Sequence, residues 1–242
     1  MKTSNKILLG TLLLVLVIIT AIHAAIYAKY KRNDFVTMQV LHKERYDTYK
    51  LSGVRSLVLS GLQNVKIIPS DTAKLEVLKV GGREISHEVI NGVLSLNGDT
   101  LVEHWNNNLD RERNYRDVII YLPGIENIQS ESCNLQIKGS KDPASAQSLS
   151  FDLTNSELHF SFEDGDNSHG VNHFNKITVA KASHSLIELE ANVLIKEMNL
   201  NMDSSRFEDG AAQVDSISIH ADNASTVQLS GKNISKTKFL SQ

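Results

Sequence analysis

The chain has one cysteine, three prolines, one tryptophan and only 6% aromatic residues among its 242 positions. A single Cys133 excludes an intramolecular disulfide and a multi-cysteine zinc site, and it lies too far from the N-terminus to anchor a lipoprotein. It leaves the redox compartment open, because oxidising spaces tolerate cysteine-poor proteins. The scarcity of proline, beside abundant Asn, Ser, Leu, Ile and Val, argues against a disordered stalk and for regular structure. No charge of one sign dominates. The formal net charge is -3 and the isoelectric point about 6.3, without the basic stripe of a nucleic-acid binder. Also missing are a G-x-S-x-G nucleophile elbow, an H-E-x-x-H zinc motif and a Walker-type glycine loop. No catalytic residue, cofactor-binding residue or metal ligand is therefore assigned, and a non-enzymatic protein without a cofactor is expected.

What is present begins with a run free of charged residues from Ile7 to Ala28, ILLGTLLLVLVIITAIHAAIYA. About 20 apolar residues in a helix span a hydrocarbon core, so 7–28 reads as a transmembrane signal anchor behind a short tail at 1–6. The competing reading is a cleaved signal, which has an apolar core of about 7–15 residues and a small-x-small cleavage site. Cleavage after Ala24, Ala25 or Ala28 would put Ile22, His23 or Ile26 three residues upstream, and none of these fits. An uncleaved anchor is the expectation. Lys2 and Lys6 before the run balance Lys29, Lys31 and Arg32 after it, so local charge does not orient it.

Residues 29–50 are polar, charge-mixed and aperiodic, and read as a juxtamembrane spacer. From Leu51 on, apolar residues fall two apart, as in Leu57/Leu59, Val65/Ile67, Leu75/Val77, Leu94/Leu96 and Val118/Ile120/Leu122, which is the strand period. Turn formers at Gly61–Asn64, Asn91–Gly92 and Asn97–Asp99 cut the runs short. No stretch of 51–242 sustains the apolar spacing of an amphipathic helix.

The C-terminal half repeats itself. Ile177, Val179, Ser185, Ile187 and Leu189 match Ile217, Ile219, Ser225, Val227 and Leu229 at a gapless offset of 40, and Ser205 sits midway between Ser185 and Ser225. The period is thus about 20 residues, each unit a strand, a tight polar turn and a second strand. Upstream, Leu149–Phe160 supplies a further unit around Ser156, and Ile128–Ile137 places Cys133 where the serine would stand. Such units bury their apolar faces by stacking in register. The expected fold is all-β, a parallel β-helix or solenoid with ~20-residue rungs over 51–242; the alternative is an antiparallel β-sandwich with hairpins of similar length. Ser156, Ser185, Ser205 and Ser225 should stack at one corner and bond neighbouring backbone, with Cys133 as their structural isostere.

The strand VIIYLPGIENIQ (Val118–Gln129) followed by Ser-centred rungs, with SLVLSGLQNVKII (Ser56–Ile68) and INGVLSLNGD (Ile90–Asp99) before it, resembles the auto-transporter adhesin head GIN domain family from about Leu51 to the C-terminus. Where that family's rungs carry Gly-Ser, this chain has Asn155-Ser156, Ser204-Ser205 and Ala224-Ser225. The resemblance implies a β-helical domain of the bacterial cell envelope, single-pass in the inner membrane with its C-terminal domain in the periplasm, meeting a protein or glycan partner. It supplies no catalytic residues.

Two segments stand apart. Glu163, Asp164, Asp166, His169 and His173 invite a divalent ion, but Gly165 and Gly170 oppose the helix that would bring the histidines to one face, so a solvated loop is expected. Trp105 and Tyr115, among Arg111, Arg113 and Arg116, have the chemistry of sugar stacking or protein hot spots; shielding the end of the stack is the expected role. A β-helical polysaccharide enzyme is the alternative function, and it would need carboxylates converging with Arg or Lys in one groove. A purely structural or sensory envelope component is a third. Asp152, Asp203 and Asp222 recur on the rungs and read as a solvent-facing column.

Overall fold

The computed structural model describes residues 3–32, 45–79, 85–98, 118–160 and 170–240, in two compact units, Met1–Arg45 and Tyr46–Gln242. The first holds helix α1 (Thr3–Lys31). Its Ile7–Lys31 portion has a mean hydropathy of 2.7 and is long and apolar enough to cross a membrane, a test that a signal sequence also passes. Three of its polar side chains bond to backbone one turn earlier in the helix. Thr11 Oγ1 donates to the Ile7 carbonyl (3.0 Å), Thr20 Oγ1 to that of Leu16 (2.7 Å), and His23 Nδ1 lies 2.8 Å from that of Ile19. Internal pairing of this kind is what a solvent without hydrogen bonds requires.

The second unit is all β. Its described strands are β1 (Tyr46–Lys50), β2 (Ser56–Ser60), β3 (Val65–Pro69), β4 (Lys74–Leu78), β5 (Ser86–Ile90), β6 (Val93–Asn97), β7 (Val118–Leu122), β8 (Asn127–Glu131) and β9 (Asn134–Ile137). They continue with β10 (Gln147–Thr154), β11 (Glu157–Phe160), β12 (Asn172–Ser183), β13 (Leu186–Leu189), β14 (Val193–Asp203), β15 (Arg206–Glu208), β16 (Gln213–Ala221), β17 (Thr226–Gln228) and β18 (Thr237–Phe239). One sheet runs β1-β4-β7-β3-β9-β11-β13-β15-β17 and the other β18-β16-β14-β12-β10-β8-β2-β6-β5. Alternate residues of each sheet enter one shared core, so the architecture is a two-layered, sandwich-like β fold.

The expectation of a uniform parallel solenoid over 51–242 is corrected, because both sheets are mixed. β1/β4, β4/β7 and β5/β6 are antiparallel. The reason is visible at Asn91-Gly92, where φ is +52° and +79°: two left-handed residues make the tight turn that folds β5 directly back on β6. The sandwich alternative holds for the two facing layers but not for strand direction, since from β8 onward every described pairing between strands is parallel. The spacer is shorter than expected as well. β1 lies inside the segment assigned to it, with Tyr46 buried and Asp47 3.2 Å from Lys79 Nζ.

The 20-residue period appears as register. Ile177 pairs with Met198 and Met198 with Ile217; Val179 pairs with Leu200 and Leu200 with Ile219. In the other sheet Leu135, Leu158, Ile187, Phe207 and Val227 are successive partners. Each stack places apolar side chains one strand spacing apart, about 4.8 Å. That buries them on one another along the core.

At the last rungs, helix α2 (Gly231–Ile234) carries the buried Asn233 against Asp209. Burial opposes the Asp209 charge. Hydrogen bonds outweigh it: Asp209 accepts from the Ser230 hydroxyl (2.7 Å) and N–H (2.8 Å), the Asn233 amide (2.7 Å) and the Ala211 N–H (3.1 Å), and its carboxyl is held below the usual carboxylate range. A depressed folded-state value contributes stability that is complete above the unfolded value of about 3.9 and lost as pH falls through the folded one. Asp209→Asn should cost about 1–3 kcal/mol at neutral pH and flatten the loss of stability below pH ~4. Urea melts at neutral and acid pH read both effects.

Candidate ligand-binding groove

The sharp corner between the two sheets is built by a ladder of hydroxyls. Ser205 N–H donates to Ser225 Oγ (3.1 Å), Ser185 N–H to Ser205 Oγ (3.0 Å), Ser156 N–H to Ser185 Oγ (3.1 Å), and Cys133 N–H to Ser156 Oγ (3.2 Å). Leu62 N–H completes the series on Cys133 Sγ at 3.4 Å. Each hydroxyl also donates within its own rung, as Ser185 Oγ does to the Ser183 carbonyl at 2.8 Å and Ser205 Oγ to that of Asp203 at 2.9 Å. Backbone groups that a bend would leave buried and unpaired are thereby satisfied.

The serine corner expected from the repeat is present, and so is Cys133 as its isostere. Burial pushes the Cys133 thiol up, against hydrogen bonds from the Leu62 N–H and with Ser130. A protonated, buried thiol is structural rather than reactive. Ser185→Ala removes both of its bonds and leaves the buried Ser156 N–H without this acceptor, an expected loss of about 1–3 kcal/mol. Ser185→Cys should lose less, and urea denaturation of the two variants makes the comparison.

The residue before four of the five corner side chains has a left-handed backbone: Ser132, Asn155, His184 and Ser204 have φ of +49° to +55°. Asn tolerates this region better than the others, and the turned backbone points each of these side chains outward. Just outside the corner lies an open groove of about 400 Å³ lined by Asn155, Glu157, His184, Leu186, Arg206 and Thr226 among others. Glu157, Leu186, Arg206 and Thr226 are register partners on β11, β13, β15 and β17, so the groove runs across the strands.

One step along the strands is a row of His159, Glu188 and Glu208. His159 Nδ1 lies 3.0 Å from Glu188 Oε2 and its Nε2 3.5 Å from Glu157 Oε2. Asn134 Nδ2 donates to Glu157 (2.8 Å), and Arg206 is paired with Glu208. The sequence reading missed this network. It can be found by aligning the repeats and taking the outward positions on either side of the inward Leu158, Ile187 and Phe207.

Glu157 is the groove's acidic residue and Arg206 its guanidinium. A hydrolase needs two carboxylates on opposite sides of the scissile bond, about 5–9.5 Å apart. Glu188 and Glu208 stand instead on the open sheet face, each engaged with a neighbouring side chain. Among the described residues no group of three or more His, Cys, Asp or Glu side chains is placed to hold a metal ion. The aspartate column does not form: Asp203 pairs with Ser183, whereas Asp152 pairs with Lys181 and Gln129 in another row. Of the candidate ion cluster, Glu163, Asp164, Asp166 and His169 lie outside the described residues, as do Trp105, Tyr115 and the three arginines between residues 111 and 116. His173 is on β12 beside a smaller recess of about 150 Å³ that also touches Phe174, Lys196 and Asp215.

No protein-family model matches the chain, and no curated protein matches it significantly. Solved structures do. A protein of Parabacteroides distasonis named "putative adhesin" is 9% identical, with a TM-score of 0.51 over 76% of this chain and 71% of that one. A "putative adhesin" of Bacteroides fragilis is 11% identical, with a TM-score of 0.47 over 75% and 78%. A "putative lipid binding protein" of P. distasonis is 11% identical, with a TM-score of 0.40 over 77% and 82%. At these identities the likeness concerns architecture: this chain shares its all-β fold with the first of these structures.

Proposed function

We propose that the protein is a non-enzymatic, membrane-anchored interaction domain of the cell envelope, with α1 as an uncleaved single-pass anchor and residues 46–242 outside the cytoplasm. The in-register strands of the C-terminal half offer a rigid flank to a protein or glycan partner, as an adhesin head domain would. The observation that carries this reading is the groove across β11, β13, β15 and β17. Its rim residues Asn155, Glu157, His184, Arg206 and Thr226 face solvent, while the backbone beneath them is fixed by the corner ladder. Rigid elements presenting exposed polar groups at fixed spacing suit recognition, because little ordering is left for binding to impose. The adhesin names of the structural neighbours agree with it.

The test is site-specific photocrosslinking from position 184 or 226 in whole envelopes. A discrete partner from either position, absent when the probe sits at position 152 on the other sheet, is the expected result. Uniform labelling from all three would contradict it. The competing reading is a glycan hydrolase, for which Glu157 is the groove's one carboxylate. Turnover of a polysaccharide that Glu157→Gln abolishes would establish that reading and overturn the non-enzymatic one.

A further inference from the structure

We infer that the corner groove binds a linear, uncharged polysaccharide laid across the rungs, one sugar ring to each strand step. The inference rests on the interaction reading above and names the chemistry of its partner. Four register-linked side chains, Glu157, Leu186, Arg206 and Thr226, line the groove in a row. At about 4.8 Å per strand they span roughly 14 Å. Asn155, His184 and Ser204 form a second row along the corner. A polymer of similar units, each bearing hydroxyls that both donate and accept, meets a similar polar step at every rung.

The chemistry of each position follows. The Glu157 carboxylate accepts hydroxyl protons, Arg206 donates, and Thr226 and Asn155 do both. Leu186, half-buried between Glu157 and Arg206, offers an apolar spot for the C–H face of a ring. The corner serine hydroxyls are engaged in the ladder and do not compete for the ligand.

The same geometry disfavours a peptide. β11, β13 and β15 each pair with a strand on both sides, so three of the four groove strands have no open backbone edge, and strand addition is confined to β17 at the end of the sheet, outside most of the groove. One leucine provides no hydrophobic anchor of the kind that dominates protein interfaces. Charge argues against an anionic polymer, since the single groove guanidinium is already paired with Glu208 and stands in a row with Glu157. Such a polymer calls for a row of cations.

The full chain in nanodiscs, titrated calorimetrically with cellohexaose, chitohexaose and maltohexaose, tests the inference. At least one hexasaccharide is expected to bind with a Kd on the order of 1 mM or tighter, and its disaccharide about tenfold more weakly. The double variant Glu157→Gln/Arg206→Gln should weaken binding by about tenfold or more with an unchanged urea midpoint, and Thr226→Ala should weaken it in the same direction. No binding of any of the three up to roughly 10 mM, or binding that both variants leave intact, would overturn the inference. A protein crosslinked from position 184 or 226 in the same preparation would leave the interaction reading standing and remove only the polysaccharide.

Discussion

Gly210→Ala is expected to destabilise the β domain by about 3 kcal/mol or more. Gly210 has φ of +47° and is followed by Ala211 at +61°, two left-handed residues in succession between β15 and β16. A Cβ on Gly210 would land on the carbonyl oxygen of Leu189, with the Leu189 carbonyl carbon at 2.8 Å behind it. Both atoms belong to backbone, so no side chain can swing aside. The Leu189 and Gly210 segments belong to adjacent rungs tied together by β13/β15 pairing, and Gly210 adjoins Asp209, whose bonds to Ser230 and Asn233 hold α2. Relief of the clash has to separate rungs or release that network. Gly124→Ala, with open space around the added methyl, is the control and should stay within about 0.5 kcal/mol of the parent. A Gly210→Ala variant whose urea midpoint equals the control's would mean that the rungs do not approach as described.

Phe160→Ala is expected to cost about 3–5 kcal/mol. The Phe160 ring is fully buried and meets Phe151 edge-to-face at 5.8 Å and Phe174 at 5.2 Å, with interplanar angles of 83° and 86°. Phe160 comes from one sheet, and Phe151 and Phe174 from the other, so the trio joins the two layers. Truncation removes the transfer energy of a large ring, leaves a cavity between sheets held by their ladders, and deletes two aromatic contacts. Phe160→Leu keeps most of the volume and should lose only roughly 1–2 kcal/mol. Guanidinium unfolding of both variants measures the difference, and an alanine variant no weaker than the leucine one would place the ring outside the core.

The core was legible because strand alternation is a local property. Leu57, Leu59, Val65, Ile67, Leu94 and Leu96 all point inward, and the repeat offset anticipated which residues stack on which. The serine corner was legible for the same reason: a polar residue recurring every 20 positions between apolar strands has to serve the turn. Pairing direction was not, because period two says which face a residue takes and nothing about its neighbour. β4 pairs antiparallel with β7 across more than forty residues of sequence, and no pattern in either strand announces it. β1 escaped notice because an edge strand with only Tyr46 buried shows no alternation. The outer-face network of Glu157, His159, Glu188 and Arg206 was hidden for a third reason. Its members sit on three strands and meet only when the rungs are laid in register, and their charges read individually as solvated surface.

The central claim is that the β domain works on the outer side of the membrane that α1 enters. Protease accessibility of that domain, compared in intact cells, in cells with a permeabilised outer layer and in inverted inner-membrane vesicles, tests it most directly. The account predicts digestion once the outer layer is opened, or already in intact cells, and protection in inverted vesicles. Digestion confined to inverted vesicles would put the domain in the cytoplasm and contradict the account.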